Sequence, residues 1–296
     1  MEQRNSEFAR EHPIVLMVYL LGGMLVTMLT MHPVLIGLSF LTATVYSCLL
    51  WGRTMWKRLF WLMIPVLVFT VIVLPLFSHN GVTPLFYLND MAVTLETVIY
   101  GLVMSGMLLG IFQWFQVANR LLDSEKLLYL FGRVFPSIGL LLSMVFRMIP
   151  LMGERFRQIK DGQKGMGRYE GDLSWIGRTK LLLKELSILV SWSLESSLET
   201  SISMESRGYG TGHRTSFDLF HFGSGNGVWC AVFAVFYGVT FWVIGIGCYR
   251  ASYFPAVQLT AMKGKAWIGV ITFLLAGMAP VVYEIIRGKG KSRYAE

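Results

Sequence analysis

Apolar positions run in long blocks, separated by short polar stretches. A hydrocarbon core of about 30 Å needs roughly 20 apolar residues in a helix. Windows of that kind fall at 13–31, 33–51, 59–77 and 94–117, and again at 228–249 and 267–287. The pattern predicts an all-α, polytopic membrane protein of about six spans. The first two windows form a pair with almost no loop between them, since only His32-Pro33 divides them. Between the fourth and fifth windows the texture changes. Residues 118–227 hold 14 of the 26 Lys/Arg and 11 of the 18 Asp/Glu, a polar and nearly balanced block. The expected organisation is an N-terminal transmembrane bundle over 1–117, a cytoplasmic or interfacial helical block over 118–227, and C-terminal transmembrane helices with a basic tail over 228–296.

The middle block reads as long helices with mixed faces. The stretch 127–152 is nearly apolar, but Arg133, Pro136, Arg147 and Pro150 interrupt it. A charge at the bilayer centre costs roughly 2.5–3.5 kcal/mol on insertion scales, which predicts a helix lying at the membrane interface rather than a seventh span. The segment 153–172, GERFRQIKDGQKGMGRYEGD, is charged and punctuated by five glycines, and is expected to connect two helices. Residues 173–205 are long enough for a helix on the order of 50 Å at 1.5 Å per residue. Leu186, Leu189, Val190, Leu194, Leu198 and Ile202 mark an apolar stripe along it. Eight serines between 187 and 206 leave room for close helix approach. At 204–215, MESRGYGTGHRT, glycines past the last turn stop the helix. Arg207 then falls near the negative end of the helix dipole. It either caps its own helix carbonyls or points at a docking partner. Two helix ends, each finishing in a basic, Gly-rich turn, suggest a docking surface.

Composition agrees with the membrane reading. Apolar residues make up 54% of the chain and charged ones 15%, with 17 Met, nine Trp and 20 Phe and a mean hydropathy of +0.55. Those few charges cannot cover a soluble globule, for which about 25% is usual. The net charge of +8 does not call for nucleic acid, because of where the charges sit. The 52–58 loop, GRTMWKR, carries Arg53, Lys57 and Arg58 with no acid, the 78–93 loop has no Lys or Arg, and the tail after Arg287 is basic. The positive-inside rule then puts the N-terminus, the middle block and the C-terminus in the cytoplasm. The loop 250–266, with Arg250, Lys263 and Lys265, opposes that assignment. No small-residue cleavage site follows the first apolar window, so it reads as a retained span.

Catalytic chemistry is sparse. Cys48, Cys230 and Cys248 lie far apart in apolar runs, and the five histidines have no ligand spacing. Neither a metal nor another cofactor is implied. Glu195 and Glu199, one turn apart, could form a pair, but a solvated face is the simpler reading. Glu96 and Glu284, near the ends of spans, have no obvious mate. The only Gly-Lys-Ser, Gly290-Lys291-Ser292, lacks the glycine that a phosphate-binding loop needs five residues before its Gly-Lys, where Ile285 stands. A role as an enzyme is therefore not expected. The rival functions are an intramembrane enzyme and a pore-forming permease.

Several segments are similar to a known family. Met204-Glu205-Ser206-Arg207-Gly208-Tyr209-Gly210 resembles the Met-Glu-Ala-Arg-Gly-Phe/Tyr motif of the transmembrane T component of energy-coupling factor (ECF) transporters, importers of vitamins and of cobalt or nickel. His213-Arg214-Thr215 follows where that family tends to carry an Arg-Thr pair. Phe146-Arg147-Met148-Ile149-Pro150 looks like its Arg-Phe-Ile-Pro signature, making Arg147 and Pro150 structural motif residues. Pro75-Leu76-Phe77-Ser78-His79-Asn80-Gly81 and Thr94-Leu95-Glu96 also resemble family segments, so the likeness runs from about residue 30 to 216. The resemblance implies two cytoplasmic ABC-type ATPase subunits docking at the helix ends, and a membrane-embedded substrate-binding S subunit held by apolar contact. On that implication Glu205, Arg207 and Gly208 form one docking point. Gln163, Lys164 and Arg168 mark the other, where the family's Arg-Gly step is missing and either Lys164 or Arg168 supplies the charge. Met144, Met148 and Met152, spaced by four, line one helix face that serves either S-subunit contact or ordinary packing.

Overall fold

The computed structural model describes residues 8–52, 54–73, 81–88, 91–169, 174–212 and 220–293. Two compact units make up the chain. Met1–Leu127 and Phe220–Glu296 form the first, and Leu128–Leu219 the second. The helices at the two ends of the sequence thus share one core.

In the first unit, α1 (Pro13–Leu29) and α2 (Pro33–Trp51) each start on a proline at the first helical position, where the missing N–H has no partner to lose. Helix α3 (Thr54–Leu67) continues through a π-helical stretch to Val73. An antiparallel hairpin of β1 (Pro84–Leu88) and β2 (Met91–Thr94) leads into α4 (Leu95–Leu121). After the second unit come α8 (Ser224–Gly245), a two-residue pairing of β3 (Ala251–Ser252) with β4 (Gln258–Leu259), and α9 (Gly264–Arg293). Helix α2 packs on α4 and α9, and α1 on α8 and α4.

The core of this unit is aromatic, with Tyr19, Tyr46, Trp114, Phe233 and Phe273 fully buried. It closes because α1 carries glycines where rings press in. A Cβ at Gly22 would lie 2.2 Å from the Tyr237 ring, and one at Gly23 2.5 Å from that of Trp114. Polar groups inside the bundle hold one another. Thr27 meets Ser39 hydroxyl to hydroxyl, and Trp114 Nε1 donates to Ser39 Oγ at 2.9 Å. Glu284, without a mate in the sequence, accepts from Tyr46 Oη at 3.3 Å. Glu96, equally solitary there, accepts from the Thr83 hydroxyl at 2.7 Å and ties the hairpin to the start of α4. One end of the bundle is closed by the 3-10 turn Phe8–Arg10, whose Phe8 ring lies within 6.5 Å of those of Tyr19, Tyr46, Trp229, Phe233 and Tyr283.

The second unit holds most of α5 (Ser124–Val134), all of α6 (Pro136–Gly165) and all of α7 (Trp175–Ser206). The structure corrects two expectations, one in each unit. Residues 153–165 are not a connection but the last turns of α6, which absorbs Pro150 and runs for 30 residues. Residues 54–58, expected in a loop, form the start of α3.

Among the described residues, six helical stretches are long and apolar enough to cross a membrane: Pro33–Trp51, Thr54–Val73, Leu95–Leu121, Ser137–Gly165, Ser224–Gly245 and Gly264–Ile286. The set differs from the expected one at two places. Helix α1 has 17 residues, about 26 Å of rise, and falls short on its own. The 137–165 stretch qualifies by length and composition, since Arg147 is the one charge in its first half. The architecture is that of an all-α polytopic membrane protein.

Candidate functional site

The two glycine-rich motifs fall at the ends of the two long helices of the second unit. At the end of α7, Arg207 is the first residue beyond the helix. Gly208 follows with φ +81°, and its N–H donates to Glu205 O at 2.9 Å. The Tyr209 N–H donates to Met204 O at 3.0 Å. This pair of bonds around a left-handed glycine is the Schellman motif, which satisfies carbonyls that the helix leaves orphaned. Those carbonyls are therefore capped by backbone. The Arg207 side chain is not needed for that task, and it is exposed.

The end of α6 repeats the geometry. Gly167 has φ +70°, its N–H donates to Lys164 O at 2.9 Å, and the Arg168 N–H donates to Gln163 O at 3.3 Å. The two ends thus align as Gln163-Lys164-Gly165-Met166-Gly167-Arg168 on Met204-Glu205-Ser206-Arg207-Gly208-Tyr209. Met166, exposed to 59%, stands where Arg207 stands. Lys164 corresponds to Glu205, and Arg168 to Tyr209. Spacing in the sequence could not reveal this alignment, because it depends on which glycine takes positive φ.

Arg168 turns back on its own motif, with Nη1 donating to Gln163 Oε1 at 2.7 Å over a buried Gln163. Lys164 is exposed, as is Glu205. Next to this tip, Tyr169 Oη donates to Glu185 Oε1 of α7 at 2.7 Å, and Glu185 is completely buried. The hydrogen bond to the carboxylate raises the Tyr169 pKa above its ordinary value. Further along, the Arg155 guanidinium lies 4.8 Å from the centre of the Trp192 ring. These two contacts join α6 to α7, and neither was legible from sequence spacing. Arg207 lies roughly 22 residues beyond Glu185 along α7, about 33 Å of helix, so the two tips are separate points.

The apolar faces divide in an unexpected way. Met144, Met148 and Met152 are half-buried, whereas Leu141, Val145 and Ile149, on the adjoining strip of α6, are exposed. Along the α7 stripe, Leu186, Val190, Leu194, Leu198 and Ile202 are exposed, from 46% to 67%, and Leu189 is half-buried. Glu195 and Glu199 are exposed as well. Arg147 and Pro150 lie exposed within α6. His213-Arg214-Thr215 and residues 75–80 lie outside the described residues.

The class that fold and site define is a multi-pass α-helical membrane protein with two long helices that end in matched capping motifs. The chain matches no protein-family model and no curated protein.

Proposed function

We propose that this chain is the energy-coupling transmembrane subunit of an ECF-type ABC importer for vitamins or metal ions. Two cytoplasmic ATPases would dock at the ends of α6 and α7, and a substrate-binding S subunit would lie against the exposed apolar faces of the same helices. Hydrolysis then takes place in the ATPases, and this chain transmits their motion without catalysis of its own. The observation that carries the reading is the exposed Arg207 guanidinium, placed beyond a helix end whose carbonyls are already capped. A cation freed from capping is available to an acidic pocket on a partner.

The rival functions have less support. A pore needs polar groups turned toward an opening, whereas Thr27, Ser39, Trp114, Tyr46 and Glu284 bond to one another inside the bundle. An intramembrane enzyme needs a general acid or base beside a substrate cleft, and Glu284 is engaged by Tyr46.

Affinity purification of the tagged chain from its native membrane is expected to bring down ABC-type ATPase subunits. Arg207→Glu should leave the chain inserted but weaken that association at least thirtyfold, on the roughly 2–5 kcal/mol that a broken interfacial charge pair costs. Recovery of the tagged chain with no ATPase, or full assembly and uptake in the Arg207→Glu protein, would refute the proposal.

A further inference from the structure

We infer that the end of the bundle carrying Trp51, Arg58 and Arg120 is a binding site for the phosphate of an anionic phospholipid. The guanidinium carbon of Arg58 lies 4.0 Å from the centre of the Trp51 ring, and that of Arg120 lies 5.6 Å from the same centre. The two cations are thus no further apart than the sum of those distances. They come from different helices, α3 and α4, and meet over the last residue of α2. Among the described residues, neither has a carboxylate within ion-pair distance. Asp123, the acid nearest Arg120 in sequence, lies 3.9 Å from Lys126 instead. The exposed Lys57 adds a third positive charge in the first turns of α3.

Like charges this close repel, and stacking on one indole offsets the repulsion only in part. An anion between them removes it. A guanidinium stacked on a ring keeps its N–H edge free, and that planar fork suits phosphate oxygens. The surroundings select a lipid as the source of the phosphate. Trp61, Ile64, Val68 and Ile72 are exposed along one face of α3 and its continuation, from 46% to 81%, and Thr54–Val73 is long and apolar enough to span. Trp56 and Trp61, both exposed, are of the type that settles at headgroup level. Acyl chains would lie on the α3 face below a headgroup held by Arg58 and Arg120, as basic pockets between spans hold anionic lipids.

The test uses the purified full-length chain in nanodiscs of phosphatidylglycerol or of phosphatidylcholine, with native mass spectrometry and thermal unfolding as readouts. The wild type should retain phosphatidylglycerol through detergent exchange and unfold at a higher temperature in that lipid. Arg58→Gln, a change at an exposed position, should weaken retention about fivefold, and Arg58→Gln with Arg120→Gln about thirtyfold. Lys180→Gln, a charge loss on α7, should change neither readout. Unchanged retention in Arg58→Gln would overturn the inference. So would equal retention of phosphatidylcholine, an equal loss in Lys180→Gln, or a thermal shift that inorganic phosphate alone reproduces.

Discussion

Gly167 and Gly208, at φ +70° and +81°, hold a backbone conformation that costs an L side chain roughly 1–2 kcal/mol. Gly208→Ala should therefore loosen the end of α7 by that amount, read as faster amide exchange at Gly208 and Tyr209. Gly165→Ala, inside α6 with open space around its Cβ position, should instead be neutral or stabilising by up to about 1 kcal/mol. The same frame decides which residue matters at the first tip. With Arg168 held by Gln163 and Met166 exposed in the position of Arg207, the proposed function predicts that Met166→Asp weakens ATPase association more than Arg168→Gln. An equal or inverse ranking in quantitative pull-down would show that the charge at this tip comes from Arg168 after all. Arg207 and its stop glycine were legible in the sequence, since a glycine after the last polar turn announces a helix end. The Tyr169–Glu185 bond was not, because it joins residues 16 apart that no helical periodicity links.

The helices themselves followed the apolar pattern, and where they departed from it the cause lies in packing. Three glycines at 153, 162 and 165 argued for a connection, at a cost of about 1 kcal/mol each in a helix. Yet α6 persists through them, packed against α7 with Gln163 buried and Tyr169 anchored to Glu185. Tertiary contact outweighs propensity there. In α1 the glycines are the reverse case, since they exist for contact. Gly23→Ala places a methyl against the Trp114 ring and should destabilise the bundle by roughly 1–3 kcal/mol, measured as a lower unfolding temperature in detergent. Gly37→Ala, at a position with nothing within 4 Å, should not.

For the whole molecule, one small link joins distant parts of the first unit. Lys126 is 7% exposed, and its Nζ donates to Ala9 O and to Leu121 O, both at 2.6 Å. Burial lowers its pKa, against the opposing pull of Asp123. Lys126→Met would remove both charge-assisted bonds, at roughly 1.5–3 kcal/mol each. The turn carrying Phe8 should then detach first, with trypsin cleaving after Arg10 in the variant well before it does so in the wild type. Since 163–168 and 204–209 share one hydrogen-bond pattern, they are interchangeable parts. A chimera with the two hexapeptides exchanged should keep both helices at full length while moving the Arg207 guanidinium to the end of α6 and that of Arg168 to the end of α7. On the proposed coupling role, a change of partner requires only six redrafted residues, with no change to the helices that bear them.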